Sequence, residues 1–367
     1  MNRTNPKRKK IIIFVICLIF GFAIGAAGYV AYKQFKGEPV ISGLPGLGHK
    51  TPSLATTANP LDGTQASLTL ANRHPLAIMV ENYTAARPQI GLDNASIIYE
   101  AITEGGITRY MAIYGPKDAE KVGPVRSLRT FFLDWTWSYN AFLGHCGGNI
   151  DALDRVGPEG ALDLDQFALG EKAYWREPQA GKAIEHTMFT STQKLYKAAQ
   201  EKGYDMKANF ESFKFLDPKK FIVNQGTSQT INIDFSSPSY SVSYQYDPIN
   251  NNYVRSLAGN LHRDRATGNQ LAPTNIIIQL VDRHPGFTRI NEDSWTFDTI
   301  GQGKAIVLYG GKKIDAIWKK VSLKDRTKFY NNITGEEIEF LPGQFWYEIV
   351  PPDVFDKVKI ETSSSQG

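Results

Sequence analysis

Apolar and polar positions divide the chain into stretches of different period. From residue 11 to 32 no residue is charged. About 20 residues at 1.5 Å each cross a bilayer core, which predicts one membrane-spanning helix over 11–32. Residues 37–72 are rich in Gly, Pro, Ser, Thr and Ala with little periodicity, and a flexible linker is expected over 33–72. Strand and helix patterns then alternate, which predicts an α+β domain over 73–225. Residues 76–80, 95–102 and 107–114 carry the β-branched and aromatic residues of strands, and Glu104-Gly105-Gly106 reads as a hairpin turn. Leu128, Phe131, Phe132, Trp135 and Tyr139 recur at helical spacing. Gly123-Pro124 ahead of them reads as the helix start, where proline loses no hydrogen bond. Residues 141–149 read as a buried strand ending in a Gly-Gly turn, with Asn149 capping a short helix over 150–156. Thr190 or Ser191 caps a helix through Ala199, ended by Gly203. Beyond 224–227 the pattern alternates, with strands expected at 230–235, 241–246, 253–257, 275–281, 305–308 and 345–350. This predicts a mostly β domain over 226–357, with one helical turn at 323–326, and a disordered tail over 358–367. The fold class is α+β: a membrane helix, an α+β N-terminal domain and a mostly β C-terminal domain.

Charge adds an orientation. Arg3, Lys7, Arg8, Lys9 and Lys10 form a basic tail over 1–10, against Lys33 and Lys36 after the apolar run. The positive-inside rule places the N-terminus in the cytoplasm and the rest outside. A secretory signal peptide is the rival, but its apolar region is shorter, roughly 7–15 residues. The formal charge is +4. The basic tail accounts for it, so the globular part carries no cationic excess and nucleic acid is not the expected partner. The two cysteines, Cys17 in the apolar run and Cys146 in the globular part, fall on different sides of the boundary. No Cys/His spacing fits zinc, and neither a metal nor a cofactor is implied.

The polar chemistry concentrates between Glu81 and Arg129. Arg126 and Arg129 stand three apart at the expected helix start, where free N–H groups and two guanidinium forks suit an anion. Ion pairs with Asp118, Glu120 or Asp134 satisfy the same spacing. Arg87 and Arg109 lie on nearby segments, and Arg176 follows later. His145 at a strand end and His186 before a helix are acid/base candidates, with Glu104 or Glu100 as partner carboxylate. The plainer reading of His145 is a core histidine hydrogen-bonded to backbone, and of His186 a loop hydrogen-bonder. His262-Arg263-Asp264 is either an oriented pair or a loop. Trp318, flanked by Lys312-Lys313 and Lys319-Lys320, suits an exposed ring with cations or a strand surface. There is no Gly-x-Ser-x-Gly elbow and no His-Glu-x-x-His.

Several motifs resemble the YerB-like family of bacterial envelope lipoproteins. They are Ala86-Arg87-Pro88-Gln89-Ile90-Gly91-Leu92, Glu104-Gly105-Gly106-Ile107-Thr108-Arg109, Gly123-Pro124-Val125-Arg126-Ser127-Leu128-Arg129 and His145-Cys146-Gly147-Gly148. Tyr253-Val254-Arg255, His262-Arg263-Asp264, Trp318-Lys319-Lys320 and Pro342-Gly343-Gln344-Phe345-Trp346 resemble that family's second domain. The resemblance covers residues 73–352 and implies architecture and envelope location, since the family is one of unknown function. Two departures stand out. No lipobox surrounds Cys17, and Glu185-His186-Thr187 replaces the family's Pro-His-Asn.

The expected protein is single-pass in the cell membrane, with its domains extracytoplasmic. Its expected role is a binding or regulatory module for an anionic envelope ligand, such as a wall polymer, at Arg87, Arg109, Arg126, Arg129, Arg176, His145 and His186. The alternative is a cell-wall hydrolase or phosphoglycan transferase using His145 or His186 with Glu104. A third reading is docking to an envelope protein through an apolar patch at Trp318, Phe345 or Trp346.

Overall fold

The computed structural model describes residues 55–207, 209–221 and 227–364. The expected basic tail, the membrane helix over 11–32 and Cys17 lie outside the described residues. Among the described residues no helix is long and apolar enough to cross a membrane.

A ten-stranded mixed sheet runs through residues 55–364. Its order is Lys328–Asn331, Lys312–Lys320, Gly301–Tyr309, Asn275–Leu280, Phe345–Val350, Ile97–Ile102, Thr108–Tyr114, Leu76–Glu81, Phe142–His145 and Leu162–Asp165. Strands from either side of residue 225 meet at its centre, where Phe345–Val350 lies parallel to Ile97–Ile102. The central strands are buried on both faces, so they read as continuous apolar runs. On one face Ile78, Val80, Ile98, Tyr110 and Trp346 pack under the helix Thr192–Glu201 and a five-stranded sheet. That second sheet has the order Asn260–Leu261, Asn252–Leu257, Ser241–Asp247, Thr227–Asp234, Lys359–Ser364. On the other face Met79, Tyr99, Met111 and Tyr347 pack against Phe131, Phe132 and Trp135 of the helix Thr130–Trp137.

The α+β class and the β-rich second half stand. The hairpin of Ile97–Ile102 and Thr108–Tyr114 turns at Glu104–Gly106, where Gly105 and Gly106 take φ of 68° and 72°. Asn149 Oδ1 accepts from the Ala152 N–H at 3.0 Å, and Ser191 Oγ from the Lys194 N–H at 3.2 Å.

Several local expectations are corrected. The helix starts at Thr130, not at Gly123-Pro124. The segment before it is extended because its amides are taken by neighbouring chain: Val125 N–H donates to Met188 O at 2.7 Å, Arg126 N–H to Met79 O at 3.0 Å and Leu128 N–H to Gly147 O at 2.9 Å. A Cβ at Gly123 would sit 2.8 Å from Met188 O, so only glycine lets these segments approach. Residues 55–72, expected in the linker, are folded. Thr56–Ala58 pairs with Gln65–Ser67, Leu61 and Asp62 are buried, and Asp62 Oδ2 accepts from Ser96 Oγ at 2.5 Å. Lys359–Ser364, expected in the disordered tail, is an edge strand paired with Thr227–Asp234. Residues 323–326 form no helix; the Lys320 ammonium gathers that turn, donating to Leu323 O at 2.8 Å and Asp325 O at 2.6 Å. Trp318 is buried, with Nε1–H donating to Leu280 O at 2.7 Å. With Phe345 and Trp346 also buried, those three residues form no apolar surface patch.

Candidate functional site

The side chains that gather at one end of the sheet come from four segments. Leu76–Glu81 ends at Glu81, and Arg109, the second residue of Thr108–Tyr114, lies directly across from it. The extended segment at 122–129 crosses beside them and brings Arg126 and Arg129. The Glu104–Gly106 turn and the Ile184–Thr187 turn close the cluster with Glu104 and His186.

Each charge has a definite neighbour. Arg129 grips Glu104 with both arms, Nε to Oε1 at 2.8 Å and Nη2 to Oε2 at 2.7 Å. Burial raises the Glu104 carboxyl, but the Arg129 hydrogen bonds and charge outweigh it and hold the carboxyl below its usual value. Arg126 Nε lies 3.0 Å from Glu81 Oε1, yet its N–H is not aligned for a hydrogen bond. The other oxygen, Glu81 Oε2, accepts from His186 Nδ1 at 2.8 Å. Tyr83 stacks on the His186 ring with centroids 5.1 Å apart.

Arg109 is the exception. It is only 6% exposed. Nη1 donates to Ser127 O at 2.7 Å, and Nε is buried without a hydrogen-bond partner. Among the described residues no carboxylate forms a salt bridge with it. Burial first, then the Arg129 and Arg126 charges, pull its guanidinium down to about 9, partly offset by Glu104 and Glu81. It remains a cation at neutral pH. Three guanidiniums therefore face two carboxylates, and the uncompensated charge is the most deeply buried. Such a group gains from any anion that can reach it.

The other expected residues divide. His145 is tied at both nitrogens, Nδ1 to Gly147 O at 2.8 Å and Nε2 to Asp163 Oδ1 at 2.9 Å. It joins the Phe142–His145 strand to its neighbour and has no nitrogen left for proton transfer. Its hydrogen bonds involve neither Glu81 nor His186. Arg87 binds Asn82, Nε to Oδ1 at 2.9 Å and Nη2 to the main-chain oxygen at 3.0 Å, and lies over the Tyr240 ring. Arg176 is exposed and donates to Ile184 O at 2.6 Å. Its charge and that of Arg126 both act on the Cys146 thiol, which burial nonetheless pushes up, so the thiol is a poor nucleophile.

Behind this cluster lies a buried polar network centred on Arg255. Glu100 and Glu348 sit side by side on parallel strands, both wholly buried. Arg255 Nη2 donates to Glu100 Oε2 at 2.5 Å, Nε donates to Tyr244 Oη at 3.1 Å, and Nη1 donates to His262 Nδ1. Tyr244 Oη donates to Glu348. His262 Nε2–H then donates to Gln89 Oε1 at 2.9 Å, and Gln89 Nε2 donates to Asn82 Oδ1 at 2.8 Å and to Glu81 O at 3.1 Å. Asp264 Oδ2 accepts from the amides of Gly91 and Leu92. His262 and Asp264 therefore dock the second half of the chain onto the Arg87–Leu92 motif. Burial, then the Glu100 charge, raises the Glu348 carboxyl well above its usual range. Burial, then Arg255, lowers His262, which is neutral. Arg255 thus has Glu100 as its salt-bridge partner, beside a Glu348 that holds on to its proton.

Sequence reasoning missed the roles of Glu81, Tyr83 and Glu348. A signal for Glu348 was available, since Phe345-Trp346-Tyr347-Glu348-Ile349-Val350 places one carboxyl in an otherwise apolar strand, as Ile97-Ile98-Tyr99-Glu100-Ala101-Ile102 does. No comparable signal linked Glu81 to His186, which are 105 residues apart.

The fold and this site define a two-segment α+β protein whose halves share one sheet. The comparisons give the family. Residues 61–205 match the N-terminal domain, and residues 231–347 the C-terminal domain, of the family described as protein of unknown function (DUF3048). The chain is 30% identical over 298 residues to the Bacillus subtilis (strain 168) protein named "Putative lipoprotein YerB", covering 80% of this chain and 86% of that protein. It is similar to the crystal structure of the YerB protein from Bacillus subtilis, with a TM-score of 0.72 and 30% identity over 82% of this chain and 98% of that one. The chain belongs to this YerB-like family.

Proposed function

We propose that this protein is an extracytoplasmic, membrane-anchored envelope protein that holds an anionic ligand at Arg109, Arg126 and Arg129. The observation that carries the reading is the buried Arg109 guanidinium with no carboxylate on it. Arg126 supplies a fork beside it and is accessible enough to meet a ligand, while Arg129, whose fork is taken by Glu104, adds its charge. The basic tail, the apolar run over 11–32 and the naming of the Bacillus subtilis relative as a lipoprotein support the location.

The test is binding of the full-length protein in detergent to purified wall sacculi, before and after removal of anionic polymers, at two salt concentrations. Binding is expected to fall on stripping and at high salt, because accessible charges are screened within about 8–10 Å at physiological ionic strength. Arg126→Gln is expected to weaken it roughly tenfold. Binding insensitive to stripping, salt and Arg126→Gln refutes the anion site.

One observation favours a second reading, an enzyme acting on the same polymer. The Glu81 carboxylate fixes the His186 tautomer with the proton on Nδ1, which leaves Nε2 as the base. Among the described residues Nε2 has no hydrogen-bond partner. Glu104 and His145, the other candidates, are held by Arg129 and by Asp163 and Gly147. In this reading turnover of the bound polymer is lost in His186→Ala while binding persists. Absence of turnover by the wild-type protein leaves the binding role alone.

A further inference from the structure

Beside the arginine cluster, sharing Glu104 with it, lies a groove. It runs between the Glu104–Gly106 turn and the hairpin of Arg283–Phe287 and Asp293–Phe297. Its volume is about 370 Å³, within the roughly 300–1,000 Å³ of small-molecule sites. Glu104 and Gly105 form one wall; Phe287, Asp293, Ser294 and Trp295 line the other.

The hairpin wall is built. Pro285 pairs with Trp295 and Phe287 with Asp293, so these four project from one face. The Arg283 guanidinium stacks on the Trp295 ring at 4.4 Å. Asn149 Nδ2 donates to Ser294 Oγ at 3.2 Å and fastens the hairpin to the start of the Ile150–Val156 helix. Phe287 is left 68% exposed.

The charges of the groove select its occupant. Its lining carries two carboxylates, Glu104 and Asp293, and the guanidinium of Arg129 stands behind Glu104. An anion is repelled from the groove and drawn past it to Arg109. An acyl chain would strip water from both carboxylates without replacing their hydrogen bonds. A hydroxyl-bearing ring meets both demands: its C–H face packs on Phe287, and its hydroxyls donate to Glu104 and Asp293.

We infer that the groove is a sugar-ring subsite, and that the ligand of the arginine cluster is a charged glycan with its ring between Phe287 and Glu104. The inference rests on the anion site proposed above. It is tested by calorimetry on the full-length protein in detergent with three probes: inorganic phosphate, N-acetylglucosamine 1-phosphate and N-acetylglucosamine. The sugar phosphate is expected to bind about tenfold more tightly than phosphate. Phe287→Ser, at an exposed position, is expected to erase that difference and leave phosphate affinity unchanged; Asp293→Asn is expected to reduce it. Equal binding of phosphate and sugar phosphate by the wild type, or a difference that survives Phe287→Ser, overturns the subsite and leaves the anion site standing. Binding of N-acetylglucosamine that Phe287→Ser abolishes, with no binding of phosphate, keeps the ring subsite and overturns the anion site. No binding of any probe overturns both.

Discussion

At Arg109 burial and repulsion act in the same direction. Its guanidinium is lowered to about 9 by burial, Arg129 and Arg126, so the free protein bears a cost for keeping it charged. The unfolded chain binds this proton more tightly than the folded one. Stability therefore rises as pH climbs from about 9 toward the ordinary arginine value, and the penalty is present in full at neutral pH. Arg109→Met is expected to raise the stability of the free protein by on the order of 1 kcal/mol, since an uncompensated buried charge is replaced by an apolar group of similar length. The wild type is expected to gain melting temperature with N-acetylglucosamine 1-phosphate, and the same variant to lose that gain. Thermal denaturation with and without the sugar phosphate checks both. A free variant less stable than the wild type would show that Arg109 is a structural residue.

The element that most constrains this fold is the parallel pair at the sheet centre. Phe345–Val350 and Ile97–Ile102 set Glu348 beside Glu100, beneath Arg255 and Tyr244 of the second sheet. Unfolded Glu348 ionises near 4.3, while the folded carboxyl keeps its proton to higher pH. The folded state thus binds more protons above about pH 4.3, and stability falls as pH rises through that window. Glu348→Gln mimics the protonated carboxyl. It is expected to fold normally, to flatten this pH dependence and to be at least as stable as the wild type at pH 7. Glu100→Ala leaves Arg255 buried and unpaired, and is expected to cost about 3–5 kcal/mol. Urea unfolding at pH 5 and pH 8 separates the two, and a Glu348→Gln variant with the wild-type slope would refute the raised Glu348 carboxyl.

At the scale of the whole molecule, strands from the two family-matched segments are separate in sequence but lie side by side in one sheet. Ile97–Ile102 has Thr108–Tyr114 on one side and Phe345–Val350 on the other. Cutting the chain at residue 225 opens that edge and exposes Trp346, Tyr347 and the carboxyl of Glu100 to water. Residues 55–364 are expected to unfold in one cooperative transition, and a fragment of residues 55–225 to be unfolded alone. Calorimetry of the full-length protein and circular dichroism of the fragment test this. A folded fragment with native near-ultraviolet signal would show that the first segment has a core of its own.

The sequence alone determined what depends on neighbours along the chain. The Glu104–Gly106 hairpin, the caps at Asn149 and Ser191 and the alternation beyond residue 227 are set within a few residues, by turn chemistry and by period. Family motifs placed the arginines together on one stretch. Tertiary structure decided the rest, because the deciding hydrogen bonds join distant residues. The backbone of 122–128 is extended, not helical, because Met79, Gly147 and Met188 claim its amides. Lys359–Ser364 is ordered because Thr227–Asp234 offers an open edge. Trp318 is covered because Leu280 accepts its N–H. His186 faces a carboxylate that local sequence does not hint at, while His145 is tied at both nitrogens. Arg109 became the centre of the site only when the fold buried it and assigned Glu104 to Arg129 and Glu81 to His186. A pattern of types along a chain shows which residues are charged, and only packing decides which charge is left without a partner.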